Sequence, residues 1–202
     1  MDAEQMEALA QEVLRRVFVP LEASGRHVHV TAEQARTLFG HDLTPERPLS
    51  QPGQYLARER VTVKGPKGEF HNVAVLGPAR KAAQVEISLT DARELGIRVP
   101  IRLSGQVEDS PGAVLEGPMG TVTLSQGVIA AKRHIHLTPE DAHRFGVTDG
   151  QAVGLQTFTE RPAVLEDVIV RVDPGFACYA HLDYDEANAC GFHKGDLGRI
   201  RP

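Results

Sequence analysis

The stretch RHVHVT at residues 26–31 returns later in the chain as RHIHLT at residues 133–138. Both copies run on to a Phe-Gly pair, at residues 39–40 and 145–146, with one residue fewer before the pair in the second copy. Self-similarity of this kind marks a duplicated structural unit. The sequence therefore predicts a chain built from two related halves.

A second and weaker match lies late in each half. Residues 84–92 (QVEISLTDA) align with residues 179–187 (YAHLDYDEA). This register places Glu86 opposite His181. Each half therefore carries an HxH motif early and one further polar residue late.

The HxH motifs are predicted to bind metal. Successive side chains of a strand face opposite ways, so an HxH strand aims two imidazoles at one point, and neutral imidazole is a common zinc ligand. Glu86 has apolar neighbours, and a carboxylate is costly to bury there unless it is paired or metal-bound. The candidate ligands, enough for two metals, are His27, His29, Glu86, His134, His136 and His181. The alternative is that His27 and His134 are hydrogen-bonded core histidines.

Each candidate ligand is followed by the signals of a short helix. The predicted N-caps are Thr31, Thr90, Thr138 and Asp185. The glycines predicted to close these helices are Gly40, Gly96, Gly146 and Gly191. Short runs of β-branched residues separated by turn signals lie between the helices. We therefore expect a mainly β fold with two related barrel-like units, each capped by short α-helices.

Residues 1–18 fall outside the repeat. Their apolar residues recur at helical spacing, with acidic residues early and two arginines late, which predicts an amphipathic helix. Such a helix either packs on its own barrel or serves as a docking peptide for another protein.

The composition excludes several classes of protein. The formal net charge of −5 argues against a general nucleic-acid binder. No apolar run approaches the roughly 20 residues that cross a bilayer, and the N-terminus has no apolar signal-peptide core. Cys178 and Cys190 form no CxxC pair, which favours a cytoplasmic protein and a bystander role for both thiols. The other histidines, expected at the surface or in turns, are His41, His71, His143 and His193.

Positive charge accompanies the candidate ligands. Helix N-termini that gather where the ligands converge favour anions. Arg80 and Lys81, just upstream of Glu86, add positive charge. Arg26, Lys132 and Arg133 are further candidates for this role. The site is predicted to take a phosphate-like anion, the alternative being that Arg80 is a solvated loop residue.

These motifs, taken with several others, resemble the PduL-type phosphate propanoyltransferases, a family of phosphotransacylases. The matching stretches cover nearly the whole chain: RHVH at 26–29, QPGQ at 51–54, VKGPKG at 63–68, NV at 72–73, LGP at 76–78, QVEIS at 84–88, RHIH at 133–136 and DYDEANA at 183–189. Two positions depart from the family pattern. Gly25 stands where the family usually has Asn, and Tyr184 interrupts the usual Asp-Thr-Asp-Glu run.

The resemblance implies a domain organisation and a dimetal site between two β-barrels. The N-terminal helix would occupy residues 1–18, the first barrel residues 26–133, and the second barrel residues 19–25 together with 134–202. By resemblance, the first zinc would be held by His27, His29 and Glu86, and the second by His134, His136 and His181, with Glu86 shared. Arg80 matches the family's phosphate-contacting arginine.

The resemblance also implies the reaction and the partners. Acyl-CoA, with a propanoyl or similar short chain, would react with phosphate to give acyl phosphate and coenzyme A, and the reverse. Arg80 and Glu86 would be the catalytic residues. No serine or cysteine is placed as a covalent nucleophile, which favours direct attack in a ternary complex. A homodimer is expected. In many family members an N-terminal helix targets the enzyme into a bacterial microcompartment, and residues 1–18 could do so here through a shell protein.

Three other functions fit part of the pattern. A bicupin would bind iron or manganese through HxH and a later histidine, but it does not need Glu86 in place of a histidine. A non-catalytic zinc scaffold would have a closed, usually cysteine-rich site. A dizinc hydrolase would use water in place of phosphate.

Overall fold

The computed structural model describes residues 2–202, apart from the side chains of Gln11 and Arg15. Met1, the first residue of the predicted helix, lies outside the described residues. The described chain forms two compact units. The barrel unit comprises the residues up to Ala23, Arg133–Leu182 and Glu186–Pro202. The sheet unit comprises Ser24–Lys132 and Asp183–Asp185.

The elements are short, as the frequent glycines and prolines predict. The helices are α1 (Ala3–Val17), α2 (Ala32–Phe39), α3 (Leu89–Leu95), α4 (Pro139–Phe145) and α5 (Tyr184–Cys190). The strands are β1 (Val19–Ser24), β2 (His27–His29), β3 (Pro45–Pro48), β4 (Tyr55–Lys64), β5 (Glu69–Gly77), β6 (Gln84–Glu86), β7 (Ile101–Arg102), β8 (Val114–Glu116), β9 (Thr121–Thr123), β10 (Val128–Ala131), β11 (His134–Leu137), β12 (Ala152–Phe158), β13 (Val164–Val172), β14 (Tyr179–Asp183) and β15 (Leu197–Arg201).

The barrel unit is a closed six-stranded barrel in the order β1-β14-β11-β13-β12-β15. The barrel closes where β1 pairs antiparallel with β15, Val19 opposite Gly198. Its interior is filled by branched aliphatic side chains, including Ile135, Leu155 and Leu182. Each such side chain stabilises the fold by about 1.5–3 kcal/mol when it leaves water.

The sheet unit is a curled sheet of nine strands. Eight of them follow the order β7-β10-β6-β2-β5-β4-β8-β9, and β3 pairs with β4 off this path. Its core includes Val28, Leu38, Val75, Val85 and Leu115. The prediction of a mainly β fold with two barrel-like units and short helices is therefore confirmed.

The two units show the duplication in their topology. β1 precedes the HxH strand β2 in the chain but lies beside β14, which carries His181, in the barrel unit. β10 precedes the HxH strand β11 but lies beside β6, which carries Glu86, in the sheet unit. Each half of the duplication therefore contributes one strand to the unit formed mainly by the other half.

Two of the predicted helix caps hold, and two are wrong. Thr31 and Thr138 cap α2 and α4, and each accepts a hydrogen bond from the backbone N–H three residues later. α3 begins earlier than predicted, because Ser88 and Asp91 bond each other's backbone N–H groups and form the capping box. Thr90 is inside α3, and Asp185 is inside α5 rather than before it. The carboxylate of Asp185 instead accepts the N–H of Thr90, at 2.9 Å.

The N-terminal helix forms as the apolar periodicity predicts. α1 is capped by Asp2, whose side chain accepts the N–H of Gln5 at 2.8 Å. Much of its apolar stripe remains exposed: Met6 and Leu9 are each 53 % exposed, and Val13 is 52 % exposed. Among the described residues, the structure contains no helix long and apolar enough to span a membrane.

Candidate metal centres

Strand pairing brings the candidate ligands of the sheet unit together. β2 runs antiparallel to β6, and His27 lies directly opposite Glu86 in this register. Val28, between the two histidines, packs into the apolar core. Because side chains alternate along a strand, His27 and His29 then share the other face with Glu86.

The imidazoles of this cluster are oriented by backbone carbonyls. His27 donates its Nδ1–H to the carbonyl of Gly25 at 2.8 Å, and His29 donates its Nδ1–H to that of Leu76 at 3.2 Å. A carbonyl can only accept, so both Nδ1 atoms carry the hydrogen. The Nε2 atoms face Glu86, at 3.5 Å from Oε1 for His27 and 4.0 Å for His29. Anchoring of the distal ring nitrogen is characteristic of metal-binding histidines.

The protonation states of the cluster suit a cation. Burial lowers the pKa of His29 to about 3, with further lowering by His27 and Arg80, so its imidazole is neutral. Burial alone would raise the pKa of Glu86, but His27 and His29 together hold it below its ordinary value. Burial also opposes the charged form of His27, yet the adjacent Glu86 raises the pKa of His27. Metal binding needs neutral imidazoles, so protonation of His27 and binding of a cation at this cluster would compete.

The barrel unit contains an equivalent cluster of three histidines. β11 runs antiparallel to β14, with His134 opposite His181 and His136 opposite Tyr179. The ring centroids of His136 and His181 are 4.9 Å apart, and those of His134 and His181 are 5.1 Å apart. Glu22 on β1 lies 3.4 Å from Nδ1 of His181 through its Oε2. His181 thus has a carboxylate against one ring nitrogen, as many zinc-binding histidines do.

Both clusters have donor sets that fit zinc. Within each cluster, one potential ligand atom per residue lies within 4.8 Å of the others. The sets, two imidazoles with a carboxylate and three imidazoles, are those that bind zinc in sites with an open position for water or substrate. The cysteines are elsewhere: Cys178 and Cys190 both pack in the core of the barrel unit. Burial raises the pKa of Cys178 to about 12, which keeps this thiol protonated and unreactive.

Two polar residues that the sequence analysis did not single out support Glu86. Gln84 donates its side-chain N–H to Oε1 of Glu86. Ser104 donates its hydroxyl to the same oxygen at 2.9 Å. The amide oxygen of Gln84 accepts the N–H of Gly105 at 2.7 Å, which fixes the amide orientation. The contact of Gln84 could have been predicted, because Gln84 lies two residues before Glu86 and shares its strand face. Ser104 comes from a separate loop, and its contact could not.

Arg80 lies beside this network. Its backbone N–H donates to the carbonyl of Val30 at 2.9 Å, which ties the loop after β5 to the end of β2. Its guanidinium donates to the hydroxyl of Ser104 at 3.1 Å. The hydroxyl of Ser104 therefore links the guanidinium of Arg80 to the carboxylate of Glu86.

The other predicted sources of positive charge are used differently. Arg26 and Arg133 were expected to add charge to an anion site, but each forms an ion pair with a carboxylate, Asp91 and Glu186 respectively. Their charge is therefore largely neutralised. His41, His71, His143 and His193 are all exposed, in agreement with the surface positions expected for them.

Comparison with known proteins identifies the family. The family model for phosphate propanoyltransferase matches residues 20–193. The phosphate propanoyltransferase of Listeria monocytogenes is 50 % identical, over 99 % of this chain and 97 % of its own length. The enzyme of the same name from Enterococcus faecalis is 49 % identical, over 98 % of this chain and 97 % of its own. That from Thermotoga maritima is 51 % identical, over 86 % of this chain and 84 % of its own. These similarities show that the chain belongs to the phosphate propanoyltransferase family and is an acyltransferase.

Proposed function

We propose that the protein binds two zinc ions per chain and interconverts a short-chain acyl-CoA plus phosphate with acyl phosphate plus coenzyme A. His27, His29 and Glu86 hold one ion, and His134, His136 and His181 hold the other. The observation that carries the proposal is the presence of two three-residue donor clusters, each with its potential ligand atoms within 4.8 Å. Propanoyl-CoA is the favoured substrate, by the name of the relatives.

The proposed step is a direct transfer in a ternary complex. A phosphate oxygen attacks the thioester carbonyl carbon, a C–O bond forms, the C–S bond breaks, and the coenzyme A thiolate leaves and takes up a proton. Holding both reactants in one complex lowers the entropic part of the activation barrier. The high pKa of Cys178 and the burial of Cys190 support a route without a cysteine nucleophile.

Arg80 binds the phosphate in this proposal. A guanidinium presents a planar fork of donors that matches phosphate geometry. Ser104 accepts one of the arginine's hydrogen bonds and donates to Glu86, so it orients both side chains. Phosphate held by Arg80 would therefore lie near the cluster of His27, His29 and Glu86.

Zinc bound at these clusters would polarise the acyl carbonyl as a Lewis acid and stabilise developing negative charge. The chain's contribution is the orientation of the donor atoms. Carbonyl groups hold His27 and His29 in one tautomer, while Gln84 and Ser104 fix the Glu86 carboxylate.

The proposed assembly is a homodimer with its N-terminal helix outside the catalytic core. Residues 1–18 are proposed to bind a shell protein of a bacterial microcompartment, in which the enzyme would work. The exposed apolar side chains of α1 support a docking role.

The function is tested by elemental analysis together with a coenzyme A release assay. We expect close to two zinc ions per chain and release of coenzyme A that requires phosphate and yields acyl phosphate. Iron or manganese in place of zinc, or release that does not depend on phosphate, would contradict the proposal. Release into water alone would instead indicate a hydrolase.

A further inference from the structure

An arginine–carboxylate pair occurs at the same place in each half of the duplication. Arg26 donates from Nη2 and Nε to the two carboxylate oxygens of Asp91, at 2.7 and 3.2 Å. Arg133 donates from Nη1 to Oε1 of Glu186 at 2.7 Å. The repeat aligns Arg26 with Arg133 and Asp91 with Glu186. Both halves of the duplication therefore carry the ion pair, with aspartate in the first half and glutamate in the second.

Each pair joins the two chain segments that supply a metal cluster. The arginine immediately precedes the HxH motif, and the acid lies in the helix that follows the third ligand, five residues after Glu86 or His181. The first histidine of each motif already lies opposite the third ligand in the strand register. The ion pair adds a side-chain connection next to that contact.

The surroundings of both pairs restrict their movement. The Asp91 side chain is only 7 % exposed and also accepts the N–H of Ser88 in the α3 capping box. The guanidinium of Arg26 lies 4.0 Å from the ring centroid of Phe70. In the barrel unit, Arg133 donates its Nε–H to the carbonyl of Glu166 at 2.7 Å. Each arginine is thus held by the carboxylate and by a second contact.

We propose that Arg26 and Arg133 are positioning residues for the metal ligands, each acting on the cluster of its own unit. Each pair fixes the separation between an HxH strand and the strand end that carries the third ligand. This inference rests on the proposed zinc binding. Because metal affinity depends on groups that orient the ligands, loss of a pair weakens zinc binding in one unit and leaves the other unit unchanged.

The test measures zinc affinity by chelator competition in Arg26→Gln and Arg133→Gln, with Arg93→Gln as the control. Arg93 is exposed on α3, so the control makes the same charge change without breaking the pair. We expect each of the first two variants to bind one of its two zinc ions about tenfold more weakly, on the scale seen for groups that orient ligands. The control should match the unmodified protein.

The assignment to a unit is tested in a His134→Ala background, which leaves the cluster of the sheet unit. There, Arg26→Gln should weaken zinc binding and Arg133→Gln should not. Asp91→Asn gives a second way to break the first pair, and the Arg26→Gln/Asp91→Asn double variant should bind zinc no more weakly than either single variant.

The outcomes separate the two proposals. If the unmodified protein binds no zinc, the proposed function fails and this inference fails with it. If the unmodified protein binds two zinc ions and the variants keep its affinity, the inference is overturned. A lower melting temperature of the metal-free variants than of the metal-free unmodified protein would then show that the pairs serve only the fold. A selective loss of affinity in the matching unit supports it.

Discussion

Glu86 is a carboxylate surrounded by imidazoles and buried strands. Its side chain accepts hydrogen bonds from Gln84 and Ser104 and lies 3.5 Å from Nε2 of His27. Burying a charge in such a place costs several kcal/mol unless opposite charge compensates it. A cation bound as proposed would supply that compensation.

Replacement of Glu86 tests its role as a ligand. Glu86→Ala removes the carboxylate from the cluster that Glu86 forms with His27 and His29, so we expect loss of at least one zinc ion per chain. Activity should fall at least about a hundredfold, since a metal contributes several kcal/mol to the transition state. Metal content and initial rates are the measurements. Cys178→Ala is the control and should keep both, whereas a Glu86→Ala protein with full zinc content and normal rate would contradict the ligand assignment.

Replacement of Arg80 tests the phosphate site. Arg80→Ala removes a guanidinium that is not a metal ligand, so zinc content should stay unchanged. Loss of a hydrogen bond to a charged group costs about 1.5–3 kcal/mol, which corresponds to a roughly tenfold to hundredfold higher phosphate concentration for half-maximal rate. Initial rates over a phosphate series measure this change. An unaltered phosphate dependence would show that Arg80 does not bind the phosphate.

At the residue scale, the candidate ligands could be predicted from the sequence because side chains alternate between the two faces of a strand. Two HxH motifs at matching places point to convergent imidazoles without any three-dimensional information. The contact of Ser104 could not be predicted in this way, because a loop outside the repeated stretches brings it to Glu86. Arg26 and Arg133 were expected to add positive charge to the anion site, although each has an aligned carboxylate, Asp91 or Glu186, as its partner.

At the scale of elements, helix starts were predictable only where one cap candidate stood alone. Thr31 and Thr138 directly precede their helices. At the start of α3 both Ser88 and Thr90 can cap, and the reciprocal bonds between Ser88 and Asp91 decide in favour of the earlier residue. Sequence spacing alone does not resolve such a choice, because it depends on which side chain reaches the backbone.

The two departures from the family pattern contact each other. A Cβ atom at Gly25 would lie 2.8 Å from both Cζ and Oη of Tyr184. The tyrosine ring therefore fills the space in which the family's usual asparagine would begin. The carbonyl of Gly25 also accepts the Nδ1–H of His27, so this contact lies next to a proposed ligand.

Gly25 and Tyr184 are therefore expected to be coupled in stability. Gly25→Asn should lower the free energy of unfolding by about 1 kcal/mol, because the half-exposed tyrosine ring must move away. In a Tyr184→Thr background the same change should cost less, with a coupling of about 0.5–3 kcal/mol, as for residues in contact. Urea unfolding of the four proteins gives the cycle. Additive effects would mean that the two departures are independent.

At the scale of the whole molecule, the duplication was readable from the repeated motifs, whereas residues 19–25 were assigned to the second barrel only through the family resemblance. The repeated motifs show two copies, but nothing in residues 19–24 indicates that β1 lies beside β14. Pairing partners of a strand are set by which edges remain open after the rest of the sheet has formed. That information is distributed over the chain and does not appear in any one motif.

Removal of the N-terminal helix tests whether it belongs to the fold or to assembly. Deletion of residues 2–17 keeps Phe18, whose ring packs edge-on against Phe158 at 5.3 Å. Turnover should remain near normal, because α1 lies outside both clusters, while light scattering should show fewer high-order oligomers or lost association with a shell protein. A full-length protein with Met6, Leu9 and Val13 changed to Gln is the matched control for the apolar stripe. A large drop in melting temperature with unchanged assembly would show that α1 stabilises its own barrel.

The place of β1 in the barrel also has a consequence for the newly made protein in the cell. β1 is synthesised well before β15, the strand that closes the barrel against it, because most of the sequence lies between the two strands. At roughly 5–20 residues per second, the wait is on the order of ten seconds or more. During that interval β1 has an open edge that another nascent chain could occupy. Polysomes that crowd several copies together would then be where mispaired protein arises.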